Sequence, residues 1–176
     1  PLASQAPEFL RTHPVTVNRI AETRERADSL PRPEVRDAAG YSLTRARIRV
    51  LSASTPQKAL EFFLGEQQNP KSVGNLGTDY GIALVRMQLG EYGAARDLFQ
   101  SLRAAHPGTI PFHTGLANAE LALGNKSQAL SIYDQAMALF PRNVPLTVRY
   151  AEALLANGDA KKAHNILLDL LNNVPP

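Results

Sequence analysis

The sequence predicts an all-α solenoid: antiparallel helix pairs stacked in series, with a helical flank at the N-terminal end. Three observations carry this. Glycines recur at Gly90, Gly124 and Gly158, 34 residues apart. Prolines recur at the same step, at Pro107, Pro141 and Pro175. The composition is that of packed helices: 44% hydrophobic residues, abundant Ala and Leu, only 6% aromatics and no Trp. A chain of 176 residues suits one domain or a short helical array with one flank.

Residues 1–36 form the flank. Pro7 to Pro14 read as a loop, Val15 to about Leu30 as a polar helix, and Pro31-Arg32-Pro33 as a linker. Residues 37–72 are expected to make a degenerate helix pair. Its first helix runs from Ala39 to Leu51, with Leu43, Ile48, Val50 and Leu51 on a broad apolar face. Its second starts at Ser54-Thr55-Pro56, where Thr55 can cap the helix and Pro56 fits the first turn. Ala59 and Phe63 then carry an Ala-to-aromatic spacing of four. Ala59 stands 36 residues before Ala95, so the loop from Gln67 to Val73 must absorb two extra residues.

Residues 73–176 hold three units in one register. The first helix of each ends at Leu89-Gly90, Leu123-Gly124 or Asn157-Gly158, glycine being the residue that accepts the left-handed conformation closing a helix. Ala83, Ala117 and Ala151 repeat at the same step, and Ala95, Ala129 and Ala163 are small where two helices cross closely, so that a larger residue there would overpack the crossing by ~1–3 kcal/mol. Phe99, Tyr133 and Leu167 supply the large side chain one turn later, and proline stops the second helix.

This pattern resembles the tetratricopeptide repeat (TPR) family over about residues 73–176. It departs from that family at Asp79, His113 and Thr147, where a bulky aromatic is usual, and at Arg86, Glu120 and Leu154, where Tyr is frequent. These departures lead us to expect an irregular, shallower groove. The resemblance implies a protein-binding scaffold whose concave face is lined by the first helices. The register puts Tyr80, Leu84, Met87 and Gln88 there from the first unit, Thr114, Asn118, Leu121 and Ala122 from the second, and Val148, Glu152, Leu155 and Ala156 from the third. Family members that hold acidic C-terminal tails use Lys, Arg and Asn. Here those positions carry Tyr80, Thr114 and Val148, with only Asn118 matching. Hydrophobic or extended unfolded segments are therefore the expected ligands, with Met87 an adaptable contact. Solenoids need polar end caps, so a continuation beyond Pro176 or another chain is expected to cover Val148, Leu154 and Leu167.

A second resemblance lies in the flank. The stretch PEFLRTHPVTVNRIAETRERA, with Thr12-His13-Pro14 followed by Arg19-Ile20, is similar to the closing segment of bacterial zinc metallopeptidases of the HExxH class. A subset of that family, the BepA type, carries a TPR array directly after it. The resemblance implies the substrate- or partner-recruiting region of a periplasmic zinc metalloprotease and chaperone of outer-membrane protein assembly. Its partners would be its own peptidase domain, unfolded polypeptide and the outer-membrane assembly machinery. The chain itself lacks His-Glu-x-x-His, and His13, His106, His113 and His164 include no pair four apart, so neither a zinc site nor catalysis is expected within it. Zinc would belong to the parent protein, with His13 approaching it there. Pro1 in place of Met leads us to expect a preceding segment. A stand-alone TPR adaptor of a secretion or assembly complex is the alternative.

Other classes recede. A net charge of +3 is too small to imply nucleic acid, and the early arginines, Arg45, Arg47 and Arg49 among them, read as a solvated helix face. With no Cys there is neither disulfide nor thiolate chemistry. No apolar run reaches the ~18 residues of a membrane span.

Overall fold

The computed structural model describes residues 16–29, 38–69 and 75–173. The chain divides into two compact units, residues 1–36 and 37–176. The first holds α1 (Thr16–Ser29), whose described side chains from Ile20 to Arg26 are all exposed. The second holds α2 (Ala38–Ser52), α3 (Pro56–Gln68), α4 (Leu76–Gln88), α5 (Tyr92–Ala105), α6 (Ile110–Ala122), α7 (Lys126–Leu139), α8 (Val144–Ala156) and α9 (Ala160–Asn173). Among the described residues no helix is long and apolar enough to cross a membrane.

α4 with α5, α6 with α7 and α8 with α9 form hairpins closed by one shared turn. Gly90, Gly124 and Gly158 have φ of 77°, 83° and 88°. The residue after each glycine donates its N–H back to the helix: Glu91 to the Arg86 carbonyl, Asn125 to Glu120 and Asp159 to Leu154, each at 2.9 Å. Each glycine N–H also bonds the carbonyl three residues back. This pattern satisfies carbonyls that a helix end would otherwise leave orphaned.

The core follows the register. Ala95, Ala129 and Ala163 are buried at the helix crossings, and Phe99 and Tyr133 fill the space beside them, while Leu167 is half-buried. The unusual residues at the start of the first helices are also put to use. Buried His113 holds the Pro107 carbonyl through Nε2 at 2.8 Å and sets its ring edge-on to Phe140. Buried Thr147 donates its hydroxyl to the Asn143 carbonyl at 3.0 Å, and Asp79 accepts from Gln67 Nε2 at 3.0 Å. Glu120, also buried, accepts from Asn125 Nδ2 at 2.7 Å. His106 and His164 are exposed. Leu154, expected to need an external cover, is already buried within the third unit.

Adjacent pairs join through a ring-on-glycine contact. A Cβ on Gly115 would lie 2.4 Å from the Phe99 ring, and one on Gly81 would lie 2.4 Å from the Phe63 ring. Phe63 of α3 thus does for α4 what Phe99 of α5 does for α6. The connection covers positions 69–75 after α3, against 106–109 after α5; Gln67, expected to open the loop, lies within α3, and positions 70–74 lie outside the described residues. Thr55 caps α3 as its type suggests, its hydroxyl accepting from the Lys58 N–H, with Pro56 in the first turn.

α2 departs from the expected pairing. It packs chiefly along α4 and only lightly on α3. Leu43, Ala46 and Val50 are its buried residues, and Gly77 of α4 permits the approach, since a Cβ there would lie 2.7 Å from the Ser42 carbonyl oxygen. Residues 37–72 therefore contribute two helices that both rest on the first regular unit rather than a hairpin packed on itself.

Gly115→Ala tests the joint between pairs. The Phe99 ring is fully buried and has no room to yield, so overpacking outweighs the helix-propensity gain, with a net loss of about 1–2 kcal/mol. Gly93→Ala, where the added methyl meets nothing within 4 Å, is expected to stabilise by about 0.5–1 kcal/mol. Urea denaturation midpoints of the two variants should move in opposite directions.

Candidate partner-binding groove

The first helices α4, α6 and α8 lie in a row, each touching the next. Equivalent register positions on them form rows across the array. One row is Met87, Leu121 and Leu155; another is Leu84, Asn118 and Glu152; a third is Gln88, Ala122 and Ala156. Leu84, Met87 and Leu121 are half-buried, while Gln88, Asn118, Ala122, Glu152 and Ala156 are more open. Val148 is 40% and Leu155 56% exposed. The face is thus brought together by the fold, and its exposure grows from α4 towards α8. Neighbours flank α4 on both sides, α2 and α6, whereas α8 meets another first helix on one side only among the described residues.

Tyr80 is a correction to the expected lining. It is only 4% exposed, with its ring centroid 6.2 Å from that of Phe99 and 5.7 Å from that of Phe112. The physical reason is that α5 and α6 enclose the ring through Phe99 and Phe112, while α2, packed on α4, brings Arg47 to the hydroxyl. Burial raises the Tyr80 pKa, and Arg47 opposes that rise by its charge and its hydrogen bond. Tyr80 is therefore a core residue rather than a ligand contact. Thr114 is half-buried and bonds its hydroxyl back to the Pro111 carbonyl at 3.2 Å.

The polar members are held from behind. Asn118 Oδ1 accepts from the Tyr133 hydroxyl at 2.8 Å, tying a groove residue to the core of the second unit. Glu152 pairs with Arg149 at 3.2 Å, an exposed contact of small energetic weight. Beside them Tyr133 and Tyr150 stack, with centroids 5.5 Å apart. The Tyr150 hydroxyl donates to Asp134 Oδ1 at 2.5 Å, and Lys162 Nζ reaches the same carboxylate at 3.1 Å. The face therefore combines an apolar row with two amides, Gln88 and Asn118, and a carboxylate paired with Arg149, beside the stacked tyrosines. Such a surface can take an apolar, extended segment through side-chain contacts and a few hydrogen bonds.

Among the described residues no three His, Asp or Glu side chains stand close enough to hold a metal ion. His13 lies outside the described residues. One further feature escaped the sequence reading: a cleft lined by Tyr41, Arg45, Ile48 and Arg49 of α2 and by Phe62 and Glu66 of α3. Its signal was present, since α2 carries three arginines and no acidic residue.

Comparison with known proteins agrees with this architecture. The tetratricopeptide repeat profile matches residues 86–136 and 127–176. The chain is similar to the beta-barrel assembly-enhancing protease of Escherichia coli (strain K12), with 31% identity over 106 residues, 60% of this chain and 22% of that protein. It thus corresponds to about a fifth of the length of such relatives. Among solved structures, the thermophilic TPR protein TTC0263 of Thermus thermophilus superposes with a TM-score of 0.63 at 22% identity, over 76% of this chain and 73% of that one. The type III secretion translocator chaperone SycD of Yersinia enterocolitica gives 0.51 at 26% identity, over 61% and 83%.

The tyrosine base predicts an alkaline transition. Burial pushes the Tyr133 pKa up to about 12, against about 10 in an unfolded chain. The folded state keeps this proton longer, so its stabilising contribution is complete below pH ~10 and is lost as pH rises to ~12. Over that window Tyr133 alone should cost about 1.4 kcal/mol per pH unit. Tyr133→Phe should flatten part of the slope, Tyr80 and Tyr150 being raised as well. Denaturation midpoints measured at pH 9 and pH 11.5 check this.

Proposed function

The chain belongs to the tetratricopeptide repeat family, and from that premise we infer that it recruits partners or unfolded substrate for a larger protease. In this reading the parent is a zinc metalloendopeptidase of the periplasm, acting on outer-membrane proteins during assembly or quality control. The observation that carries it is the 31% identity to a beta-barrel assembly-enhancing protease. Its support from the chain itself is the order of Thr12-His13-Pro14, a polar helix, and then the array. Zinc would supply a Lewis acid and an activated water in the parent's peptidase domain. The part proposed for this chain is binding alone: the Met87, Leu121 and Leu155 row would hold apolar side chains of an extended segment, and Asn118 would hydrogen-bond its backbone. His13 is proposed to approach the zinc in the parent, and unchanged zinc affinity in a full-length His13→Ala variant would remove that role.

The alternative is a stand-alone adaptor or chaperone of a secretion or assembly complex. The resemblance to SycD, at 26% identity, favours it specifically. Both readings use the same face, so the coding sequence upstream of Pro1 separates them: a His-Glu-x-x-His there supports the protease, and its absence the adaptor.

The groove itself is tested with an unfolded β-barrel polypeptide as probe. The chain should retain it, and Leu84→Ser, Met87→Ser and Leu155→Ser together should weaken retention about tenfold or more, as expected for apolar anchors removed from a small interface. Equal retention by wild type and variant in fluorescence anisotropy would show that this face is not the binding surface.

A further inference from the structure

The placement of α2 along α4 rather than α3 leaves a cleft of about 500 Å³ between α2, α3 and the start of α4. It is separate from the groove residues of α6 and α8. We propose that this cleft is a second peptide-binding site, taking a protein segment in which a single carboxylate sits beside an apolar side chain.

Charge sets the first half of that specificity. Helix α2 carries Arg45, Arg47 and Arg49 and no acidic residue. Arg47 is engaged with Tyr80. Arg45 and Arg49 are one helical turn apart, share a face and line the cleft. Neither forms an ion pair among the described residues. The Arg49 guanidinium carbon lies 4.0 Å from the Phe62 ring centroid, a cation–π contact that holds the guanidinium fork at the cleft wall. A carboxylate matches such a fork with two hydrogen bonds.

The walls set the second half. Tyr41 and Ile48 line the cleft yet are 71% and 60% exposed, so a ligand side chain lying between them and Phe62 would remove apolar surface from water. The volume admits a few side chains, not a folded element. Arginines set between apolar walls select a protein segment with one acidic group beside an apolar side chain over a phosphate or a nucleic acid, which brings no aliphatic side chain to cover them.

The test uses the full 176-residue chain and fluorescein-labelled heptapeptides with a central Glu flanked by Leu, Phe or Ser, read by fluorescence anisotropy. Leu- and Phe-flanked peptides should bind, and replacing their Glu with Gln should weaken binding about tenfold or more, the usual weight of a charged hydrogen-bonded pair. Arg45→Glu with Arg49→Glu should abolish binding, while Leu84→Ser, Met87→Ser and Leu155→Ser together should leave it intact. The two arginines are exposed, so the paired variant should fold, as unchanged circular dichroism would confirm. Phe62→Ala supplies an independent loss of affinity for the Phe-flanked peptide. Equal binding of Glu and Gln peptides, no effect of the arginine pair, or no binding up to millimolar peptide would overturn the proposal. So would tighter binding of a single-stranded oligonucleotide with a steep salt dependence, which would mark the cleft as a polyanion site.

Discussion

The contact on which the array depends is a phenyl ring lying on a glycine. Phe99 meets Gly115 and Phe63 meets Gly81, each so closely that no Cβ could stand between them. The ring takes the space that a side chain on the facing helix would fill, and so serves as the spacer between the two helices. The turn glycines and crossing alanines shape each pair, but this contact sets how one pair meets the next. It also makes α3, outside the strict 34-residue register, a working neighbour of α4.

α2 shows what happens when a helix has no matching partner in the repeat. Its apolar residues Leu43, Ala46 and Val50 find burial along α4, where Gly77 lets the backbones come together. The same move brings Arg47 over the Tyr80 hydroxyl and leaves the cleft between α2 and α3. On the face that remains, Val148, Glu152 and Leu155 of α8 are exposed, whereas Leu84 and Met87 of α4 are half-buried.

Much of the fold was legible because repeats write the same physics several times. A glycine in one turn is ambiguous; at three places in one register it reports a helix closure, and all three have positive φ. Thr55-Pro56 was readable from local chemistry alone. Tyr80 was misread because its register position assumes the face of α4 is open, and only tertiary packing decides what lies over it. The α2–α3 hairpin was expected from adjacency in sequence, which says nothing of which apolar face fits which. Arg45 and Arg49 were visible as basic residues, but a solvated face and a cleft wall look alike until Phe62 is placed opposite. Among the groove residues, the register found the members of each row but carried no measure of their unequal exposure.

The third seam lacks the ring-on-glycine contact. Where Gly81 and Gly115 stand in the first two units, the third has Arg149, and Tyr133 stacks flat on Tyr150 instead. α7 accordingly meets α8 over less of its length than α5 meets α6. The last seam is therefore the least closely packed of the three. Fewer packed residues across a seam lower the local cost of opening it, so this junction is the one that thermal or denaturant fluctuations reach first, and it carries the exposed Val148 and Leu155.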